Sequence, residues 1–158
     1  MFPILTAIVF LPVAGMIAVL LSPKHADDLI RKIATGVSAA VFILGALLMM
    51  LFDNADPGMQ FVEKLAWIPQ INVYYYLGAD GISVPMIFIT GLLSLAACVA
   101  SWGINERVKE YFALYLLLET GMFGTFCALD LFLFYAFWEI VLVPMYFLIG
   151  IWGGPRKE

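Results

Sequence analysis

Four long stretches of this 158-residue chain carry almost no charge, and that constrains its fold more than any other feature. Met1 to Ser22, Ile33 to Phe52 and Ile82 to Asn105 are free of Asp, Glu, Lys and Arg. Tyr111 to Trp152 is interrupted only by Glu119, Asp130 and Glu139. A helix crosses the roughly 30 Å hydrocarbon layer with about 20 apolar residues. At 1.5 Å per residue the last stretch would be about 63 Å long as one helix, which is two crossings. The place to turn is Ala128–Leu131, where Asp130 reaches water or headgroups. The expected fold is therefore all-α and integral to a membrane. It has about five transmembrane helices, near 2–22, 33–52, 82–104, 110–128 and 131–152, forming a single unit over 1–158.

Composition agrees. Hydrophobic residues make up 64% of the chain and charged ones 13%, with a mean hydropathy of +1.00. Soluble domains carry about 45–50% apolar and about 25% charged residues. That balance excludes a solvated globular domain and a disordered chain. Eight Lys and Arg against twelve Asp and Glu leave no basic surface, so nucleic acid is not an expected partner. The first run lacks a positive leading segment and a small-residue cleavage site, and so reads as a retained span.

The positive-inside rule orients the five spans. Segments following the first, third and fifth helices hold Lys24, Arg31, Lys32, Arg107, Lys109, Arg156 and Lys157; the other side holds Lys64 alone. This places the C-terminus in the cytoplasm and the N-terminus outside. The outer loop, residues 53–81, contains Asp53, Asp56, Glu63 and Asp80 with Pro57 and Pro69, too polar to cross. Its centre, from Trp67 to Tyr76, is aromatic and partly alternating, which predicts a short β-hairpin lying at the interface.

Few residues carry candidate chemistry. Cys98 and Cys127 lie within apolar runs and read as small buried hydrophobes. His25 is the one histidine, and no ligand spacing suggests a metal site. No glycine-rich phosphate-binding fingerprint occurs, so no nucleotide or other cofactor is expected on this chain. What remains is Glu119 and Glu139, each well inside a span. An ionised acid at that depth costs about 2.5–3.5 kcal/mol on insertion scales, and intramembrane acids mark ion or proton pathways by default. The competing reading is a protonated glutamate that glues helices together. Residue 129 is their midpoint, so on antiparallel helices the two carboxyls share one depth; whether they face each other is open. Pro144 frees the carbonyl of Ile140, next to Glu139, and shapes the fifth helix there. Asp80 and Ser83, in Gly78-Ala-Asp-Gly-Ile-Ser83, are possible caps for the third helix. Gly121 with Gly124, and Gly150 with Gly154, permit close helix approach.

The stretch VKEYFALYLLLETGMFGTFCALDLFLFYAFWEIVLVPMYFLIGIWGGP, residues 108–155, resembles the M chain of NADH:quinone oxidoreductase, respiratory complex I. The Leu77-Gly-Ala-Asp-Gly-Ile-Ser83 segment and the Lys109-Glu-Tyr-Phe112 start of the fourth helix are similar to that family too. The resemblance runs through 1–158 in order. It implies an antiporter-like membrane-arm subunit that translocates protons. Redox chemistry on NADH, FMN, iron–sulfur clusters and quinone occurs in other subunits, so no catalytic residue falls on this chain. The family's helix-five glutamate, in a Phe-Trp-Glu-x-x-x-x-Pro pattern, corresponds to Glu139 in Phe137-Trp138-Glu139 through Pro144. The glutamate of Leu-Leu-Leu-Glu-Thr-Gly corresponds to Glu119. Members are roughly three times longer, with about fourteen helices that include two inverted repeats. By that resemblance the chain is the N-terminal part of a longer subunit. Its partners would be the absent C-terminal helices, other membrane-arm subunits and the lipid bilayer of a bacterial inner membrane. A non-pumping assembly element, or a subunit of a multisubunit cation/proton antiporter, are the alternatives.

Overall fold

A computed structural model describes residues 3–154. Its elements in chain order are α1 (Ile4–Leu21), α2 (Asp27–Leu51), β1 (Gln60–Ile68), β2 (Val73–Ala79), α3 (Ser83–Ala100), α4 (Val108–Cys127) and α5 (Leu131–Trp152). Single 3₁₀ turns at Pro69–Ile71 and Ser101–Gly103 complete it. The fold is thus all-helical apart from one antiparallel hairpin between α2 and α3. Arg156 and Lys157, part of the charge asymmetry, lie outside the described residues.

Among the described residues, four helices are long and apolar enough to cross a membrane: α1, α2, α3 with its 3₁₀ extension, and α5. The 20-residue α4 is less apolar, and the structure shows why. It is the most enclosed helix, packed against α1, α5, α2 and α3. Its solvent is protein rather than lipid, so it tolerates Tyr115, Glu119 and Thr120 facing inward. The outer helices show the reverse. Tyr146, Leu131, Met50 and Leu21 are 75–83% exposed, as an apolar medium requires. α2 begins at Asp27, before the uncharged run, because Asp27 and Asp28 sit in its first turn, where the helix dipole favours acids.

Successive helices run antiparallel, and contacts between the loops fix which ends meet. At one end Lys109 Nζ donates to the carbonyl of Ser22, the residue that caps the end of α1, at 2.8 Å. A cation there complements the negative end of the helix. Arg31 Nη2 donates to the Ile104 carbonyl and to Asn105 Oδ1, both at 2.9 Å. Trp152 Nε1 donates to the Glu106 carbonyl at 2.7 Å. Lys24, Arg31, Lys32, Arg107 and Lys109 all collect at this basic end.

The hairpin closes the opposite end. Glu63 pairs in register with Leu77, and Leu65 with Tyr75. Bulges interrupt the ladder between Gln60 and Glu63 and between Ala66 and Ile68. The connecting turn uses Asn72 in the left-handed region, φ 57°, a conformation asparagine tolerates. Lys64, the sole cation at this end among the described residues, lies over the rings of Tyr74 and Tyr76.

Two hydrogen-bonded junctions lock the hairpin to the helices. The Glu63 carboxylate accepts the backbone N–H groups of Leu5 (2.9 Å) and Thr6 (3.2 Å) and the Thr6 hydroxyl. Helix α1 has no capping side chain of its own, so this acid from β1 supplies the missing cap. The Tyr75 hydroxyl pairs with Thr6 at 2.7 Å, and burial holds its phenol above the ordinary value. At the second junction the Leu129 N–H donates to the Tyr76 carbonyl at 2.8 Å, and the α4–α5 turn meets β2 in an isolated antiparallel bridge between Ala128 and Leu77.

Asp130 completes that junction. Its carboxylate accepts from Phe132 N (2.9 Å) and Leu133 N (3.2 Å), capping α5, and from Tyr74 N (3.1 Å) across the hairpin. These N–H groups, that of Tyr74 foremost, hold its carboxyl below the ordinary carboxylate range. Asp80 does the same for α3. Its Oδ1 accepts from Ser83 N (2.7 Å) and Ile82 N (3.1 Å), and the Ser83 bonds lower its pKa. In this arrangement Asp80 is the cap and Ser83 the residue it caps.

Candidate functional site

The interior has two apolar clusters. One, toward the hairpin, includes Leu5, Ile8, Leu77, Ile87, Phe123 and Phe137. The other, toward the basic end, includes Val19, Ile30, Phe112, Leu116 and Cys98. Glu119, Thr120 and Ser38 are buried and polar and belong to neither. Glu119 has no exposed surface, and neither has Ser38.

The surroundings of Glu119 are sparse. Ser38 Oγ, on α2, donates to its Oε2 at 2.9 Å. Its Oε1 is buried without a hydrogen-bond partner among the described residues, as is the adjacent Thr120 Oγ1. An unpaired buried polar oxygen costs about 1–3 kcal/mol. No cation lies beside the group: the ion pairs among the described residues are Arg31–Asp28 and Arg107–Glu110, both at the basic end. The second oxygen of Glu119 is therefore open to a hydrogen bond from water or to a counter-charge.

Glu139 sits differently. It is eight residues into α5, and Glu119 is eight residues before the end of α4, so both lie about 12 Å from the turn. They share a depth but not a face. Glu139 is on the exposed side of α5 with Trp138, Leu142 and Val143. Tyr135, one turn earlier, shares that exposed side. The two acids therefore form no pair within these residues.

Glycines bring the helices that carry these acids together. A Cβ on Gly124 would fall 2.3 Å from the Phe137 ring, and one on Gly121 would fall 3.0 Å from the Val141 nitrogen. Both positions require glycine for α4 and α5 to pack this closely. A Cβ on Gly150 or Gly154 would meet no atom within 4 Å among the described residues. Pro144 lies within α5, buried on the inward side, and its ring nitrogen carries no hydrogen to donate to the Ile140 carbonyl. Pro12 leaves the Ile8 carbonyl free in α1 in the same way; the sequence displayed it, and periodicity alone gave no reason to single it out.

A groove of about 530 Å³ lies beside this layer, between α1, α4, α5 and the hairpin. Phe10, Trp67, Tyr75, Leu117, Thr120 and Phe137 are among the residues that line it. Among the described residues no three His, Cys, Asp or Glu side chains converge to hold a metal ion. Both cysteines are free and buried.

No family model matches the chain. It is 42% identical to NADH-quinone oxidoreductase subunit M of Rhodobacter capsulatus, with 98% of the chain aligned to 30% of that protein. It is 39% identical to NAD(P)H-quinone oxidoreductase chain 4 1 of Synechococcus elongatus, with 99% of the chain aligned to 30% of that protein. A chain in the structure of respiratory complex I from Thermus thermophilus with bound NADH superposes with a TM-score of 0.80 at 25% identity. That match covers 97% of this chain and 30% of the other. The chain thus spans a little under a third of the length of the curated relatives it matches.

Proposed function

This chain is homologous over almost its whole length to the subunit M/chain 4 family of NADH–quinone oxidoreductases, and from that premise we propose that it serves proton translocation in the membrane arm of such a complex. NADH oxidation and quinone reduction belong to other subunits, which hold FMN and iron–sulfur clusters. Glu119 and Glu139 are the proton-carrying groups on this chain.

The observation that carries the reading is the enclosure of Glu119: fully buried, held by one serine, with one oxygen unpaired. A group meant only as glue would have both oxygens engaged, because bonding is what glue contributes. Glu119 has spare capacity for a proton or a water instead.

Glu139 faces away from these five helices, on a side rich in exposed aromatic and aliphatic groups. An acid there is tolerable only under cover. The remaining two thirds of a subunit of the relatives' length would cover it and supply the group that pairs with it. Five crossings, with the basic end in the cytoplasm and the hairpin outside, complete the proposal. The antiparallel packing of α4 between α1 and α5 and the gathering of Lys24, Arg31, Lys32, Arg107 and Lys109 at one end support it. The compartment is a cell membrane, bacterial by the wording of the sequence.

The test is made in a complete complex carrying Glu119→Gln or Glu139→Gln. Proton release is followed beside NADH oxidation. Loss of proton translocation with assembly intact is the expected outcome; translocation at the unmodified rate in both variants overturns the proposal.

A further inference from the structure

The space between α1 and α5 changes character at the basic end. Both helices pack on α4 but hardly on each other, so α4 floors a trough between them. Near the basic end this trough is a groove of about 520 Å³, lined among others by Met16, Leu20, Ala113, Leu114, Leu117 and Phe147. Leu20 and Phe147 are 49% and 44% exposed, so the groove opens outward. Beside it lies a polar pocket of about 440 Å³ whose lining includes Lys24, Arg107 and Lys109 with Asp27 and Glu110. The two spaces share Leu20, Arg107 and Glu110 and therefore adjoin.

Three bases against two acids leave the pocket net positive, and its cations have donors to spare. Lys24 is exposed and makes no hydrogen bond or ion pair among the described residues. Arg107 meets Glu110 through Nε alone, at 3.8 Å, in an exposed pair of little strength. Its guanidinium carbon lies over the Trp152 ring, 5.9 Å from the centroid. Trp152 is fixed in turn by its N–H bond to the Glu106 carbonyl. Arg107 is thus held where the polar pocket meets the groove. Its two Nη groups have no partner among the described residues.

We propose that this site binds one anionic phospholipid, with its phosphate at Lys24 and Arg107 and an acyl chain in the groove along α4. The proposal goes beyond proton translocation and does not depend on it. Charge and shape select the occupant. Charged N–H donors bond phosphate oxygens strongly, and basic pockets between membrane helices at a membrane surface take acidic headgroups. A zwitterionic headgroup brings its own cation, which competes with Lys24 and Arg107. A soluble phosphate would satisfy the cations but leave the groove empty. Three turns of helix occupy roughly 1,300–1,500 Å³, more than twice the groove, whereas a hydrocarbon chain is thin enough to lie within it.

The experiment uses a complete complex carrying this chain, in nanodiscs and without turnover. Phosphatidylglycerol and phosphatidylcholine with the same photoreactive acyl chain are each added in trace amount, and adducts are mapped by peptide mass spectrometry. Adducts are expected on residues 16–20, 113–117 and 147, at least about tenfold more from phosphatidylglycerol. Lys24→Gln combined with Arg107→Gln should reduce that yield to the phosphatidylcholine level. Lys24→Arg combined with Arg107→Lys keeps both charges and should retain it, which separates loss of charge from loss of fold. Excess soluble glycerophosphate should not compete. Equal labelling by the two lipids would mean ordinary lipid contact, and an absence of adducts would mean that protein covers the groove. Loss of adducts to glycerophosphate would mean a site for a soluble anion. Each of these results overturns the proposal, and so does undiminished labelling in the double glutamine variant. Labelling needs no proton movement, so its failure leaves the translocation reading untouched, and failure of that reading leaves the lipid site standing.

Discussion

Removing the Glu63 side chain should loosen the hairpin from the helices and unwind the start of α1. The carboxylate accepts two backbone N–H groups of that helix, from Leu5 and Thr6, and the Thr6 hydroxyl. Deleting a capping side chain costs about 0.5–2 kcal/mol, and the favourable placement of an anion at a helix N-terminus adds about 0.3–1 kcal/mol. Water recovers part of this because the bonds are only partly buried, and Thr6 keeps its contact with Tyr75. The net loss for Glu63→Ala is about 2 kcal/mol. In a chain of this size that lowers the melting temperature by about 4–8 °C. Glu63→Gln keeps one acceptor oxygen and loses the charge, so it should fall roughly midway. The assay is thermal unfolding in detergent followed by circular dichroism, with Glu106→Ala in the exposed loop at the other end as the reference. A melting temperature for Glu63→Ala within about 1 °C of that reference would refute the tertiary-cap argument.

Gly124→Ala places a methyl group inside the Phe137 ring and should destabilise the α4–α5 contact by about 1–3 kcal/mol, read as a lower melting temperature. The carboxyls of Asp80 and Asp130 are lowered from 3.8 by backbone N–H groups. A folded-state value below the unfolded one gives stability that is full above the unfolded value and lost as pH falls through the folded one. Melting temperature should therefore drop as pH is taken below about 3.8, and less steeply in the Asp80→Asn/Asp130→Asn double variant; equal slopes would contradict the assignment. Cys98 and Cys127 are fully enclosed, so a thiol reagent should label them only on unfolding, and rapid labelling of the folded chain would contradict their burial.

The spans were legible because lipid imposes a coarse, one-dimensional rule: a run of apolar residues long enough to cross must be helix. Leu131–Trp152 could be bounded from its uncharged sequence and the turn at Asp130, and the hairpin from the alternation around Tyr74 to Tyr76. The start of α2 was less visible, since Asp27 to Lys32 looks like loop until the first-turn acids are weighed as helix starters. Asp130 as the α5 cap was within reach of the same rule, an acid directly before an apolar run.

The site was half legible. That Glu119 and Glu139 share a depth follows from counting. That one faces inward and the other outward does not, because α5 is apolar all round and offers no stripe to set its rotation. The cap from Glu63 links residues 57 and 58 positions apart, and local patterns carry no trace of such a bond. The same holds for the bond from Ser38 to Glu119, which joins residues 81 positions apart.

The most direct test of the account is whether Glu119 changes protonation while a complete complex turns over. Infrared difference spectra recorded on adding NADH to the complex should contain a carboxyl carbonyl band that disappears in Glu119→Gln. A spectrum unaltered by that substitution would contradict the claim that this buried acid carries protons.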